Sequence, residues 1–150
     1  MKFSIQKQIR FHHCDPAGIV FYPQFFYLLH EVQEDFLAHI GYPEHQLIAT
    51  GVGVPIVNLK TEFTGMCRNG DEVLITLDLP KLGHSSIGMH YEIHSYPRII
   101  YAGQSPKSLK LMADAVVVHS TVPQGKPLRI PDGLRHALSP YLQTSLEEAP

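Results

Sequence analysis

The hydrophobic period changes at Pro23, and that change divides the chain into parts that cannot share one kind of secondary structure. Ahead of it, Phe3, Ile5, Ile9 and Phe11 alternate with Ser4, Gln6, Gln8 and Arg10, the period of a half-buried strand, with Lys7 the one break. Behind it, Phe25, Leu28, Leu29, Val32, Phe36 and Ile40 recur mostly at steps of three and four, with Glu31, Gln33, Glu34 and Asp35 between them. That spacing predicts one amphipathic helix. Pro23 suits its first turn, Gly41 its C-terminal cap and Pro43 its stop, which brackets about 18 residues, or ~27 Å.

From Val54 onward the period is that of strands. Segments 55–63 and 72–79 are joined through Arg68-Asn69-Gly70-Asp71, and Asn-Gly between two such runs predicts a hairpin. Alternation resumes through Ile87, Met89, Tyr91 and Ile93, and again through Leu109, Leu111, Ala113, Ala115 and Val117. The stretch 96–106 reads as a long loop, with added strand at Ile99-Ile100-Tyr101, and a short helix is expected over 131–138. One long central helix wrapped by a curved antiparallel sheet of about five strands makes this a single α+β domain, 1–150. Val116 and Val118, on the nominally polar face of the last strand, point to a covered surface and hence to an oligomer.

Charge narrows the partners. The chain carries 12 basic and 14 acidic side chains, a formal charge of −2, so there is no basic excess for a nucleic-acid backbone. It has no uninterrupted apolar run of ~18 residues that would span a membrane, and its polar-interrupted first ten residues do not form a signal peptide. Two cysteines, Cys14 and Cys67, suggest no disulfide framework, and a reducing, cytoplasmic setting is expected.

Chemistry concentrates in Asp15-Pro16-Ala17-Gly18-Ile19-Val20-Phe21-Tyr22-Pro23. This places a carboxylate in a tight turn shortly before a helix start, where unpaired N–H groups and the positive dipole end suit a developing oxyanion. Asp15 could attack a carbonyl polarised there, or deprotonate water beside it. The bland alternative is an Asx turn with no further role. His12-His13-Cys14-Asp15 gathers ligand types, but neighbours in extended chain point to opposite sides, so no metal site is expected. His30-Glu31-Val32-Gln33-Glu34 lacks the second histidine of a zinc-protease helix.

The segment 15–23 resembles the signature of hotdog-fold acyl-CoA thioesterases of the 4-hydroxybenzoyl-CoA thioesterase type. The resemblance continues through the long helix, through Gly51-Val52-Gly53-Val54-Pro55-Ile56-Val57 and Asn69-Gly70, and more loosely through 109–118. It implies a hotdog fold, a homodimer with active sites between subunits, often paired into a homotetramer, and hydrolysis of an acyl-CoA with an aromatic or other compact acyl group. No metal or redox cofactor is implied, coenzyme A being part of the substrate. By position, Asp15 matches the catalytic carboxylate and the Tyr22 N–H the oxyanion donor.

Two departures bear on substrate. Where relatives of the hydroxybenzoyl branch carry an acidic residue on the helix, this chain has His30 followed by Glu31, and neighbouring helix positions point ~100° apart. Where that branch has a basic cluster for the CoA phosphates, only Lys81 and His84 are available. His30, Glu31, Lys81 and His84 are therefore the expected substrate contacts. The alternative functions are a hotdog domain that binds an acyl-CoA or acyl-carrier-protein thioester without hydrolysis, or a dehydratase using His30 with an acid.

Overall fold

The computed structural model describes residues 1–97 and 108–144. In chain order the elements are β1 (Phe3–Gln8), α1 (Pro23–His39), α2 (Glu44–Ala49), β2 (Val52–Gly53), β3 (Ile56–Phe63), β4 (Glu72–Asp78), β5 (Ser86–Ser95), β6 (Ser108–Val118), β7 (Ser120–Thr121) and α3 (Asp132–Leu138), with 3-10 turns at Phe11–His13 and Ser139–Tyr141. The expected loop over 96–106, with its strand at Ile99-Ile100-Tyr101, lies almost wholly outside the described residues. A five-stranded antiparallel sheet runs in the order β1-β4-β5-β6-β3, and β2 pairs with β7 apart from it.

The expected helix is α1, 17 residues long, and it ends as its sequence requires. Gly41 takes φ +93°, the Gly41 N–H bonds the Ala38 carbonyl at 3.1 Å and the Tyr42 N–H that of Leu37 at 2.8 Å. These two bonds close the helix with a Schellman motif, whose left-handed residue a side chain would strain. α1 is one of three helices among the described residues, since α2 and α3 add six and seven residues. The sequence reading anticipated α3 and missed α2, which is too short to show a hydrophobic period.

The periodicity becomes a core. Phe25, Leu28, Leu29, Val32, Phe36 and Leu37 of α1 are buried together with Val73, Ile75 and Leu77 of β4 and Ile87, Met89, Tyr91 and Ile93 of β5. Fully buried Phe36 meets Phe3 at 5.6 Å and Tyr141 edge-on at 4.9 Å between ring centroids. Burial of such rings is the largest apolar contribution a single side chain makes.

Asn69-Gly70 does form a turn, with Gly70 at φ +90° and the Asp71 N–H on the Arg68 carbonyl at 3.0 Å, but it is not a hairpin. Its flanking strands do not pair with each other. Among the described residues β3 pairs only with β6, and β4 lies between β1 and β5, so the chain crosses the width of the sheet between Phe63 and Glu72. The turn bonds Ile9 instead, through the Ile9 N–H to Asp71 and the Gly70 N–H to Ile9, both 2.8 Å. A local turn signal carries no information on which strands its arms join.

Among the described residues β3 is left as an edge, and nearly every residue along it is exposed. It shows water Ile56, Val57, Leu59 and Phe63, at 46%, 62%, 39% and 49% exposure. An apolar edge strand with free backbone groups is a template for pairing.

Candidate active site

Residues 13–21 fold back on themselves as a small loop. The Phe21 N–H bonds the His13 carbonyl and the Asp15 N–H bonds the Ile19 carbonyl, each at 3.0 Å, with Gly18 at φ +80° making the reversal. The Asp15 side chain accepts the Ala17 N–H on Oδ1 at 2.9 Å, which is the Asx turn expected of Asp before Pro. The other carboxylate oxygen is not used by that turn. Asp15 is half-buried beside a hollow of about 320 Å³ that it shares with Phe11, Cys14 and Asn69.

The loop delivers the chain into α1. Tyr22 already has helical angles, φ −52° and ψ −35°, and no side chain caps the helix. Pro23 has no N–H, the Gln24 N–H is taken by Phe21 at 2.8 Å and the Phe25 N–H by Tyr22 at 3.1 Å. The Tyr22 N–H makes no hydrogen bond among the described residues, so it is a donor at the helix start left to meet a ligand. Pro23 thereby singles out a donor, a consequence that its value as a start signal hid. The exposed Tyr22 ring lies edge-on to Phe63 at 6.4 Å, which fixes the helix start against the far end of β3.

The thiols are structural in their surroundings. Burial pushes the Cys14 thiol up, with the Asp15 charge adding to it, and burial raises Cys67 to about 11. Neither is poised as a thiolate. His12 and His13 do not alternate as extended chain would have them. The 3-10 turn brings their rings together, centroids 4.1 Å apart and planes tilted by 46°, and the His13 Nδ1 accepts the Arg10 N–H at 2.9 Å.

His30 and Glu31 part company as helix geometry requires. Glu31 reaches β1, where Lys7 Nζ bonds its carboxylate at 3.1 Å. His30 turns toward α2, with Nε2 3.4 Å from Glu34 and 3.5 Å from Glu44. His30, Glu34 and Glu44 place ligand atoms within 4.8 Å of one another, a set that could hold a cation, although His30 and Glu34 are about half exposed. Sequence reasoning missed Glu44, because its partner lies on another helix. Burial pushes the Glu44 carboxyl up, opposed by His30 and reinforced by Glu34.

His30 and Glu44 stand on the wall of a cavity of about 570 Å³, together with Gln33, Ile48, Val54 and Ile56. Lys81 and His84 are exposed on the β4–β5 connection. That connection sits at the Ile56 end of the sheet, since Ser86 pairs with Val118 and Ile56 with Val117. The Asp15 loop sits at the Phe63 end. Within one chain the expected catalytic and phosphate-binding residues are thus separated by the length of β3, roughly 20 Å.

No helix among the described residues is long and apolar enough to cross a membrane. The 1,4-dihydroxy-2-naphthoyl-CoA hydrolase of Synechocystis sp. (strain ATCC 27184 / PCC 6803 / Kazusa) is 24% identical over 139 residues, 91% of this chain and 94% of that protein. The protein of the same description from Thermosynechococcus vestitus is 29% identical over 91 residues, 60% of this chain, and the match spans just 62% of its length. The solved structure of 4-hydroxybenzoyl CoA thioesterase from Pseudomonas sp. strain CBS-3 superposes with a TM-score of 0.78 at 21% identity, over 91% of this chain and 98% of that one, which establishes the shared hotdog fold. A model of the thioesterase-like superfamily matches residues 9–138, and with the loop, helix start and sheet order already described, the chain belongs to that superfamily.

Proposed function

We propose that the protein hydrolyses the thioester of an acyl-CoA with an aromatic or other compact acyl group. The observation that carries this is the unbonded Tyr22 N–H at the start of α1, following directly on the loop that holds Asp15. The donor polarises the thioester carbonyl and holds the oxyanion with the helix dipole behind it. The Asp15 carboxylate then either attacks the carbonyl carbon, expelling the CoA thiolate and leaving an acyl anhydride that water cleaves, or takes a proton from the attacking water. Both routes yield the acid and free CoA. Neither needs a metal or a redox cofactor.

The working unit in this reading is a homodimer. Two copies pairing antiparallel along β3 would continue the sheet and cover Val57 and Leu59. Such pairing sets the Ile56 end of one strand against the Phe63 end of the other. Lys81 and His84 of one copy then approach the Asp15 loop of its neighbour, where they meet the CoA phosphates, and His30 faces the acyl side. Glu31 is committed to Lys7. Two dimers pairing into a homotetramer would cover half-buried Val116 and Val118. The two unpaired cysteines fit a reducing cytoplasm.

A thiol-release screen over benzoyl-, phenylacetyl-, short-chain and long-chain acyl-CoAs tests the proposal. Turnover is expected for the aromatic members. Binding of acyl-CoA without release of thiol would leave a non-hydrolytic thioester-binding domain as the better reading.

A further inference from the structure

The connection between β4 and β5 folds back on β5 over Gly88, where an added Cβ would lie 3.3 Å from the Lys81 carbonyl oxygen. Its carbonyls are taken in turn. The Gly88 N–H bonds that of Lys81, the Gly83 N–H that of Ser86 and the His119 N–H that of Ser85, each at 2.8 Å. The Ile130 N–H bonds that of His84 at 2.9 Å. Arg135 of α3 adds two more bonds, its Nη2 donating to the Gly83 carbonyl at 2.8 Å and to the His84 carbonyl at 3.3 Å. The N–H groups of His84 and Ser85, by contrast, make no hydrogen bond among the described residues.

These acceptors and donors are two ends of the same peptide planes. In a trans peptide the carbonyl and the next residue's N–H point to opposite sides, and neither plane here is cis. Holding the Gly83 carbonyl toward α3 therefore turns the His84 N–H away from it, and holding the His84 carbonyl does the same for the Ser85 N–H. The second plane has the Ile130 N–H as another anchor, whereas the Gly83 carbonyl has Arg135 alone among the described residues. Without Arg135 that oxygen would be free to turn outward and set a partial negative charge where an N–H now stands.

Arg135 is not needed to dock α3. Leu134 and Leu138 do that, 1% and 0% exposed. The acid on the same helix, Asp132, is taken by Arg129 at 2.7 Å, and the Arg135 guanidinium is spent on backbone. Successive N–H groups left open in a turn suit an anion such as a phosphate, and Lys81 and His84 are exposed on the same connection.

Resting on the hydrolase reading, which sets the CoA phosphates at this connection, we propose that Arg135 is a positioning residue for them, holding two peptide planes so that the His84 and Ser85 N–H groups meet the anion. Arg135→Met, apolar and still long, tests this, with thermal unfolding to verify the fold. The dissociation constant for free CoA is measured by calorimetry, and kcat and KM are measured for benzoyl-CoA and for S-benzoylpantetheine, which carries no phosphate. In Arg135→Met the CoA dissociation constant and the KM for benzoyl-CoA rise ~10-fold while kcat stays within about twofold. The kcat/KM for S-benzoylpantetheine is unchanged, as it would not be if the substitution merely loosened the fold. Arg135→Lys, whose ammonium still donates but reaches less far, loses ~3-fold in CoA affinity, and it decides the matter should the methionine variant not fold. An unchanged CoA dissociation constant, an equal loss of kcat/KM on both thioesters, or no binding of CoA to the wild type overturns the proposal. Failure of the hydrolase reading shows separately, as no thiol release from any acyl-CoA by the wild type, and the CoA dissociation constants still decide on Arg135.

Discussion

Replacing Tyr22 by proline removes one backbone hydrogen-bond donor together with the tyrosine ring. Proline holds φ near −65 ± 15°, and Tyr22 sits at −52°, so the backbone is already in place. The N–H that is lost has no partner among the described residues, so no hydrogen bond of theirs is broken. What else disappears is the ring, 60% exposed, with its packing on Phe21 at 5.6 Å and Phe63 at 6.4 Å. Such pairs contribute about 0.5–1.5 kcal/mol, and Tyr22→Ala loses them equally while keeping the donor. The difference between the two variants therefore isolates the N–H. Removal of one oxyanion donor costs about 2.7–4 kcal/mol, or ~10²- to 10³-fold in kcat. Thiol release with an aromatic acyl-CoA measures that difference, and thermal unfolding verifies that both variants remain folded. Two folded variants with the same kcat would refute the assignment of the donor.

Leu59→Asp at the centre of β3 should yield a monomer by light scattering and abolish most turnover. An uncompensated charge in a covered interface costs about 3 kcal/mol or more, some two decades in Kd; an active monomer would contradict the two-copy site. His13 gives a pH prediction. Burial, then His12, lowers its pKa below 6.5, with Glu31 opposing and Lys7 and Arg10 adding. Below pH 6.5 the unfolded chain takes up a proton that the folded chain refuses, so stability falls as pH drops toward the depressed folded value and is level above 6.5. In His13→Asn, whose amide oxygen can still accept the Arg10 N–H, the melting temperature should decline less between pH 6.5 and 5. An unchanged slope would remove His13 as its source.

What the sequence made legible was whatever depends on spacing along one element. The inward face of α1 follows from the recurrence of Leu28, Val32 and Phe36, and its end from Gly41. The divergence of His30 and Glu31 follows from the turn angle alone, and the Asp15 turn from Asp before Pro. Pairings between elements were not legible. Asn69-Gly70 looks like a hairpin because its turn is local, whereas the choice of β6 as partner for β3 depends on the whole sheet. Glu44 was invisible because α2 is six residues long, and its place beside His30 and Gln33 exists only after α2 has packed on α1. The Tyr22 donor came from the family resemblance alone, and that Pro23 offers no N–H while those of Gln24 and Phe25 are satisfied had to be seen.

The carboxylate of Asp15 is the centre of the account, and its replacement by asparagine is the most direct test. Asparagine keeps an oxygen that can accept the Ala17 N–H, now bonded to Oδ1 at 2.9 Å, so the loop and the oligomer should persist. Thiol release by the variant, measured alongside its dissociation constant for the same acyl-CoA, separates chemistry from binding. The account predicts a kcat lower by ~10²-fold or more with the dissociation constant little changed. A folded Asp15→Asn protein that turns over at the wild-type rate would contradict it.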